Sequence, residues 1–233
     1  MSVDLTKVDA KLGVEVHNYL TQKGVETPRV IVETPFNEDT DQLKIDKVQA
    51  AFTTIMETMG MDLADDSLRK TPERVAKMFI KEMFWGLDPN YFPKMTAVAN
   101  KMGYDEMVIE RNIVVQSTCE HHFVMIDGYA HIAYIPRNHV LGLSKLNRIV
   151  KYFARRPQIQ ERLTEQIYYT LEYILQTPDI AVMINAQHYC VKSRGVQDIN
   201  SDTITSKLGG CFKEEPATRQ EFLSLVRNPS KNA

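Results

Sequence analysis

The segment STCEHHF, residues 117–123, places four residues that can bind a metal or move protons side by side: Cys119, Glu120, His121 and His122. Cys119 and His122 form a Cys-x-x-His pair, which offers a thiolate and an imidazole from one tight turn. Both ligand types suit zinc, and the short spacing lowers the entropy cost of closing a chelate. Taken alone, the pair also fits an ordinary strand end with a cysteine and a surface histidine.

A second group, HYC at residues 188–190, supplies a third soft ligand in Cys190. The surrounding segment predicts a strand, and alternation along a strand would put His188 and Cys190 on the same face. No fourth cysteine or histidine follows at the spacing of a zinc finger. Three ligands favour a catalytic zinc site that keeps a position for water, whereas a fourth ligand from Cys211 would make the site structural.

The first hundred residues predict helices around an extended segment. Apolar residues at four-residue spacing indicate a helix over residues 3–23, and the proline-containing, acidic stretch 26–41 is typical of a linker. A second helix is predicted over residues 42–59. A third follows in KTPERVAKMFIKEMFWGLDP, with Thr71 as its N-cap, Pro72 in its first turn and Gly86 at its end.

The C-terminal half predicts strands and helices in the order ββααββ. Residues 107–116 indicate the first strand, and HHFVMIDGYAHIAYIP reads as two strands joined at an Asp127-Gly128 turn. Helical spacing follows over residues 144–153 and 158–175, and then come the strand segments IAVMINAQHYCVK and DTITSKLGGCF. This order predicts an α+β domain with an antiparallel sheet and helices on one face.

Composition limits the classes of function. The chain has 233 residues, 43% hydrophobic and 25% charged, with a net charge of -2. A general nucleic-acid binder would need a basic excess, and a membrane span would need roughly 18 consecutive apolar residues. The N-terminus shows no signal-peptide pattern, and three cysteines without a disulfide framework indicate a reducing compartment. We therefore expect a cytoplasmic protein that binds neither nucleic acid nor membrane.

Four motifs resemble those of the GTP cyclohydrolase I family: STCEHHFV, AYIPRNHVLGLSKLNRIV, FARRPQIQERLTEQI and HYCVKSRGVQD. The resemblance runs from about Asp65 to Val226. It implies a tunnelling fold, in which sheets of several subunits close into a barrel, and a homodecamer of two pentamers with active sites between subunits. It also divides the chain into a variable helix and arm (1–41), a helical region (42–100) and a zinc-containing catalytic domain (101–233).

The resemblance assigns the metal and the proton carriers. Cys119, His122 and Cys190 would bind Zn²⁺, and His121 and His188 would carry protons. Zinc lowers the pKa of a bound water to about 7, and the resulting hydroxide would attack C8 of the guanine of GTP. Ring opening, release of formate and ring closure would give 7,8-dihydroneopterin triphosphate, the first product of pterin and tetrahydrofolate synthesis.

The resemblance also assigns the substrate contacts. Glu161 would accept two hydrogen bonds from the guanine N1–H and amino group, which an adenine cannot offer, and Gln160 would assist. Ser144 is expected at a helix N-cap, where free N–H groups favour an anion. The residues expected to bind the triphosphate are Ser144, Lys145, Arg148, Arg194, Arg74 and Lys77, the last two from a neighbouring subunit.

Two departures and three alternatives remain at this point. Cys211 stands where an aliphatic residue is expected and is interpreted as a small core residue. Gln197 stands where many bacterial members of the family have a basic residue, so no substrate contact is assigned to it. Another tunnelling-fold enzyme would not be expected to carry the full metal motif, and a cytidine-type zinc deaminase would need a Pro-Cys-x-x-Cys segment. A catalytically inactive nucleotide-binding assembly would be expected to lack His121, His188 or the thiols, all of which are present.

Overall fold

A computed structural model describes residues 4–28 and 38–227 of the protein. A short 3-10 turn at Leu5–Lys7 precedes helix α1, Ala10–Gln22, so the helix predicted over residues 3–23 is shorter than expected. The Asp9 carboxylate accepts the Leu12 N–H at 3.0 Å and caps the helix. Most of the predicted linker, residues 29–37, lies outside the described residues.

Two helices follow, with boundaries that differ from the prediction. Helix α2, Glu38–Thr58, begins inside the predicted linker. Helix α3, Thr71–Lys77, continues directly as a π-helix, Met78–Met83. The prediction of Thr71 as N-cap is wrong, because Thr71 is already helical and Lys70 precedes the helix without a side-chain cap. Pro72 lies in the first turn, where its missing N–H leaves no hydrogen bond unmade.

The main sheet has the strand order β5–β2–β3–β6–β7. Its strands are β2 (Val108–Cys119), β3 (Met125–Tyr134), β5 (Pro157–Gln158), β6 (Ile180–His188) and β7 (Thr203–Leu208). A separate small sheet pairs β1 (Ala97–Ala99) with β4 (His139–Leu141). The long strands pair antiparallel, as predicted, and the exception is β5, which joins β2 in parallel at Thr118 and Cys119.

The predicted turn at Asp127-Gly128 is wrong, because both residues lie inside β3. The chain turns instead at residues 120–124, immediately after Cys119. Gly128 meets a close approach of β6: a Cβ at this position would lie 2.1 Å from the Asn185 carbonyl oxygen and 2.5 Å from Ala186 Cα. The glycine therefore reflects tight strand packing and not a turn.

Helices α4 (Leu143–Ala154) and α5 (Gln160–Leu175) cover one face of the sheet, where their apolar residues join Ile132 and Val182 in the main core. Ala133 and Ala181 alternate to the opposite face and pack with Phe212 and Phe222. These phenylalanines belong to α7 (Gly210–Glu214) and α8 (Pro216–Arg227), which the sequence did not predict. The prediction that helices cover only one face of the sheet is therefore wrong at the end of the sheet that α7 and α8 cover.

A buried ionic cluster joins α1 and the residues after it to the end of α4. The Arg156 guanidinium is fully buried and lies 2.9 Å from a Glu26 carboxylate oxygen, and the other Glu26 oxygen lies 3.0 Å from His17 Nδ1. Arg156 also donates to Thr27 Oγ1 at 3.2 Å. Because Arg156 precedes β5, which pairs with Cys119, the N-terminal helix is connected to the strand end that carries the metal-ligand candidates.

We predict that Arg156→Met destabilises the protein by about 3 kcal/mol or more, because it leaves the largely buried Glu26 carboxylate without its permanently charged partner. Burial alone would raise the pKa of Glu26, but His17 and Arg156 lower it from 4.5 to about 2. A depressed carboxyl pKa stabilises the fold above its unfolded value, so the difference between wild type and variant should shrink as the pH falls from 4.5 towards 2.

Urea denaturation followed by circular dichroism between pH 2 and 7 measures this difference. Lys7→Met, which removes an exposed ion pair with Asp4, is the control and should change the denaturation midpoint little. Equal effects of the two variants at neutral pH would contradict the prediction.

Candidate metal centre

The register of three strands brings the predicted metal ligands to one edge of the sheet. Ser117 in β2 and His188 in β6 both lie opposite Ile126 of β3, on its two sides. Both flanking strands run antiparallel to β3, so they run in the same direction and end at the same edge. Cys119 and Cys190 each lie two residues beyond this level. Residues far apart in sequence therefore meet where β3 begins.

The prediction that His188 and Cys190 share a strand face is wrong. Strand β6 ends at His188, and residues Tyr189–Lys192 form the short helix α6. The last pair between β3 and β6 is Ile126 with His188, so no ladder extends the strand further. The chain turns there, and this turn directs the Cys190 side chain towards the end of β2.

Cys119, His122 and Cys190 form a compact group whose ligand atoms all lie within 4.8 Å of one another. The Cys119 Sγ and His122 Nδ1 atoms are 3.8 Å apart. A tetrahedral zinc ion with bonds of about 2.0–2.3 Å would separate its ligand atoms by roughly 3.5–3.8 Å, so this spacing fits. Within the described residues Cys211 is not part of the group: it packs beside Phe212 and Phe222, and its N–H donates to Asp179 Oδ1 at 3.1 Å.

The Cys119 thiol affects the ionisation of Cys190. Burial raises the pKa of the Cys190 thiol, and the neighbouring Cys119 thiol raises it further, whereas the positive charge of Arg194 lowers it. Two adjacent sulfur atoms resist deprotonation because the second negative charge repels the first. A divalent cation between them removes this penalty, since thiolates and not thiols are the metal ligands.

Gln160 holds His188 in one orientation and one tautomer. Its side-chain nitrogen donates to the carbonyl oxygens of Ile184 and Thr203 at 3.1 and 2.8 Å, and to Thr205 Oγ1 at 3.1 Å. The amide oxygen must therefore face His188 Nε2, 2.7 Å away, so neutral His188 carries its proton on Nε2 and leaves Nδ1 as the basic nitrogen.

The pKa of His188 is lowered by burial, and the opposing charge of Glu161 compensates this only in part. Glu161 is exposed in the first turn of α5, so its carboxylate lies near His188 but remains open to a ligand. Arg194 follows α6 and is likewise exposed, close enough to Cys190 to influence its thiol. The structure thus places Gln160, Glu161 and Arg194 around the predicted metal ligands.

An ion pair that the sequence did not predict, between Glu120 and Arg162, lies beside His121. The carboxylate of Glu120 contacts the guanidinium of Arg162, a residue of α5, through both of its oxygens. The same carboxylate lies 3.7 Å from Nε2 of His121, whose side chain is 63% exposed. Glu120 and Arg162 are sequence neighbours of the predicted site residues His121 and Glu161. Their opposite charges could have suggested an ion pair, but only the fold brings the two side chains together.

The residues predicted to bind phosphate at the start of α4 lie far from this group. Asn147 contacts Glu110 at 3.3 Å, near the beginning of β2, whereas Cys119 ends the same strand. At about 3.3 Å per residue, these two positions of β2 are some 25–30 Å apart. Ser144 and Lys145 lie in the first turn of α4, Arg148 lies one turn later, and one chain does not bring the three to its own metal group.

The prediction of Ser144 as the N-cap of α4 is wrong, because Ser144 is the second residue of the helix. Gly142 occupies the cap position without a side-chain hydrogen bond. The pKa of Lys145 is lowered by slight burial and by the positive charges of Arg148 and Lys94. The three cationic side chains therefore lie near one another. Arg74 and Lys77 share helix α3, where Lys77 contacts Glu73.

The fold and the edge of the sheet define an α+β protein with a candidate three-ligand metal centre beside two histidines. The family model described as GTP cyclohydrolase I matches residues 48–227. The chain is 56% identical over 208 residues to GTP cyclohydrolase 1 of Aeromonas hydrophila, covering 89% of this chain and 93% of the relative. It is 51% identical over 219 residues to GTP cyclohydrolase 1 of Klebsiella pneumoniae, covering 94% and 97%.

The chain therefore belongs to the GTP cyclohydrolase I family, as its motifs predicted, and it is an enzyme of that family. A solved archaeosine synthase QueF-like structure covers 46% of this chain at 15% identity and a TM-score of 0.35, which is too low to support a conclusion. In the part of the chain that the structure describes, no helix has the length and apolar character needed to cross a membrane.

We predict that Cys190→Ser lowers the bound metal to a small fraction of the wild-type content, because a hydroxyl replaces one of two thiolate ligands. Elemental analysis of the purified protein by plasma mass spectrometry measures this content. Cys211→Ser is the matched control, since Cys211 lies outside the group, and it should keep the wild-type content. Equal metal in both variants would show that Cys190 is not a ligand.

Proposed function

We propose that the protein is a zinc-dependent GTP cyclohydrolase I that opens the guanine imidazole ring of GTP by hydrolysis. It would release formate and close a new ring to give 7,8-dihydroneopterin triphosphate, the first step of pterin and tetrahydrofolate synthesis. The observation that carries this proposal is the convergence of Cys119, His122 and Cys190 next to His121 and His188, in a chain of this family.

The donor set favours zinc. Cys119, His122 and Cys190 would hold the ion through two sulfurs and one imidazole nitrogen, a combination of soft ligands that suits zinc better than Mg²⁺ or Ca²⁺. When bound, a zinc ion with three protein ligands acts as a Lewis acid and lowers the pKa of a water in its fourth position to about 7. We infer a cytoplasmic location, because this donor set requires two reduced thiols.

His188 and His121 would carry the protons that hydrolysis of a C–N bond requires. Gln160 leaves the Nδ1 atom of His188 free to accept a proton, and the lowered pKa of His188 favours the neutral ring, which is the form that can accept one. His121 is exposed, and its Nε2 lies 3.7 Å from the Glu120 carboxylate. The two rings could thus serve as acceptor and donor in the same cycle.

Glu161 would select guanine, because an exposed carboxylate can accept hydrogen bonds from both N1–H and the amino group of the base. We expected Gln160 to contact the base, but we now propose that it orients His188 through their hydrogen bond. Its amide nitrogen and oxygen are already engaged inside the chain. Its support of the active site would be indirect.

Two copies of the chain would complete each site. Asn147, which lies between Lys145 and Arg148, contacts Glu110, some 25–30 Å along β2 from Cys119, so the triphosphate would reach Ser144, Lys145 and Arg148 of a neighbouring copy. The positive end of the α4 helix dipole favours an anion there. Arg194 would contribute from the metal side, and we keep Arg74 and Lys77 as cations of a neighbouring subunit.

The edges of the sheet favour such an assembly. Strand β7 pairs only with β6 in the described chain, and β2 has a second partner only at Thr118 and Cys119, through β5. Bare strand edges tend to pair with another chain. We propose that β2 and β7 of adjacent copies pair and close a barrel, giving the tunnelling fold, and that two such pentamers form a homodecamer.

Incubation with GTP tests the reaction directly. We expect formate and a product that becomes a fluorescent pteridine after oxidation, and both should disappear when zinc is removed by a chelator. A zinc-loaded protein that binds GTP and releases no formate would favour a nucleotide-binding assembly instead.

We predict that inactive Cys190→Ser and Lys145→Ala chains restore activity to each other when they are dissociated and reassembled together. Each mixed interface can combine an intact metal group from one copy with an intact α4 from the other. Random mixing should restore about a quarter of the wild-type activity. Steady-state formate release measures this recovery, and no recovery in mixed oligomers would contradict a site shared between copies.

We predict that Glu161→Gln raises the Kd for GTP by about tenfold or more, because it exchanges an acceptor-only carboxylate for an amide that presents a donor to guanine. Calorimetry with a GTP analogue whose five-membered ring cannot be opened by hydrolysis measures the affinity. Glu214→Gln, at an exposed position of α7, is the control for the charge change. Equal affinities in both variants would remove Glu161 from base recognition.

A further inference from the structure

The turn between β2 and β3 holds a strained residue next to a metal-ligand candidate. Cys119 N–H donates to the Val124 carbonyl oxygen at 2.8 Å, and Phe123 N–H donates to the Cys119 carbonyl oxygen at 2.9 Å. Phe123 has a φ of 55°, in the left-handed region that a bulky side chain rarely adopts. This conformation directly follows His122, so it sets the direction in which the turn presents that imidazole.

Two phenylalanines from the helical region pack against Phe123. The ring centroids of Phe123 and Phe84 are 5.5 Å apart with the planes at 89°, an edge-to-face contact. Phe79 lies 6.0 Å from Phe123 and 5.3 Å from Phe84, so the three rings form one cluster. Phe123 remains 49% exposed, and burial of its ring is therefore incomplete.

The π-helix explains how Phe79 and Phe84 reach the same side. Residues five apart in an α-helix point about 140° away from each other. Here the Phe84 N–H donates to the Phe79 carbonyl oxygen at 2.9 Å, a five-residue hydrogen bond that widens the turn and aligns the two rings. Such π-helical turns are rare and often occur at functional sites. The aromatic cluster thus depends on an unusual backbone in a separate segment.

We propose that Phe123 is a positioning residue of the metal centre, and that Phe79 and Phe84 hold it in the left-handed conformation that directs His122 towards Cys119 and Cys190. This inference rests on the proposed metal centre. The alternative is that the three rings stabilise the fold without influencing the metal ligands. The two possibilities differ in what happens to the metal when a ring outside the turn is removed.

The experiment compares Phe79→Ala, Phe123→Ala and the double variant, each loaded with zinc. The rate of zinc release to a chromogenic chelator should rise about tenfold or more in each single variant, as for other residues that orient metal ligands. The double variant should release zinc little faster than Phe123→Ala, because both substitutions remove the same interaction. The charge-transfer band of the cobalt-substituted proteins should change in the same variants.

Phe79→Leu and Phe123→Leu keep apolar volume and guard against loss of folding. Circular dichroism should show them folded, with release rates between wild type and the alanine variants. Tyr104→Ala removes an exposed aromatic residue elsewhere and should release zinc at the wild-type rate.

Wild-type release and an unchanged cobalt spectrum in folded Phe79→Ala or Phe79→Leu would overturn this inference while leaving the metal centre intact. A wild-type protein that retains no metal would instead overturn the proposed function together with the inference.

Discussion

The alignment of β2, β3 and β6 at Ile126 positions the candidate metal centre. It ends both outer strands at one edge and brings Cys119 together with Cys190, although 70 residues separate them in the sequence. Everything around the group supports this edge: β5 pairs with Cys119, Arg156 anchors β5 to the N-terminal helix, and Gln160 holds His188. A shift of one residue in register would turn every side chain of a strand to the other face.

The same sheet gives a physical reason for the proposal that each active site needs two copies of the chain. The metal group lies at one end of β2 and the start of α4 lies near the other, so the proposed metal and phosphate halves of one chain would belong to different active sites. Sheet closure between copies would pair the edges of β2 and β7 that have no strand partner among the described residues, and it would also join the two halves. Assembly and catalysis would then have a common physical origin, because bare strand edges and a divided site are corrected by the same contact.

Local pattern in the sequence predicted the helices α1 to α5, the long strands and the three candidate ligands, because periodicity and ligand chemistry are local properties. It failed where a neighbour decides the conformation. Gly128 resembled a turn residue, but it lies within β3 and allows the close approach of β6. Cys190 resembled a strand residue, but it lies in α6, beyond the last residue of β6 that pairs with β3. The cluster of Arg156, Glu26 and His17 and the position of Phe123 depend on contacts between distant segments, which one sequence does not reveal.

X-ray absorption at the zinc edge of the zinc-loaded protein tests the three-ligand centre most directly. Two sulfur atoms at about 2.3 Å and two lighter atoms at about 2.0–2.1 Å are expected, one from His122 and one from an exchangeable water. Addition of a GTP analogue should change the lighter shell and leave both sulfurs in place. A third sulfur, or a fourth protein ligand that does not respond to the nucleotide, would mean a closed structural site and would contradict the proposed hydrolytic centre.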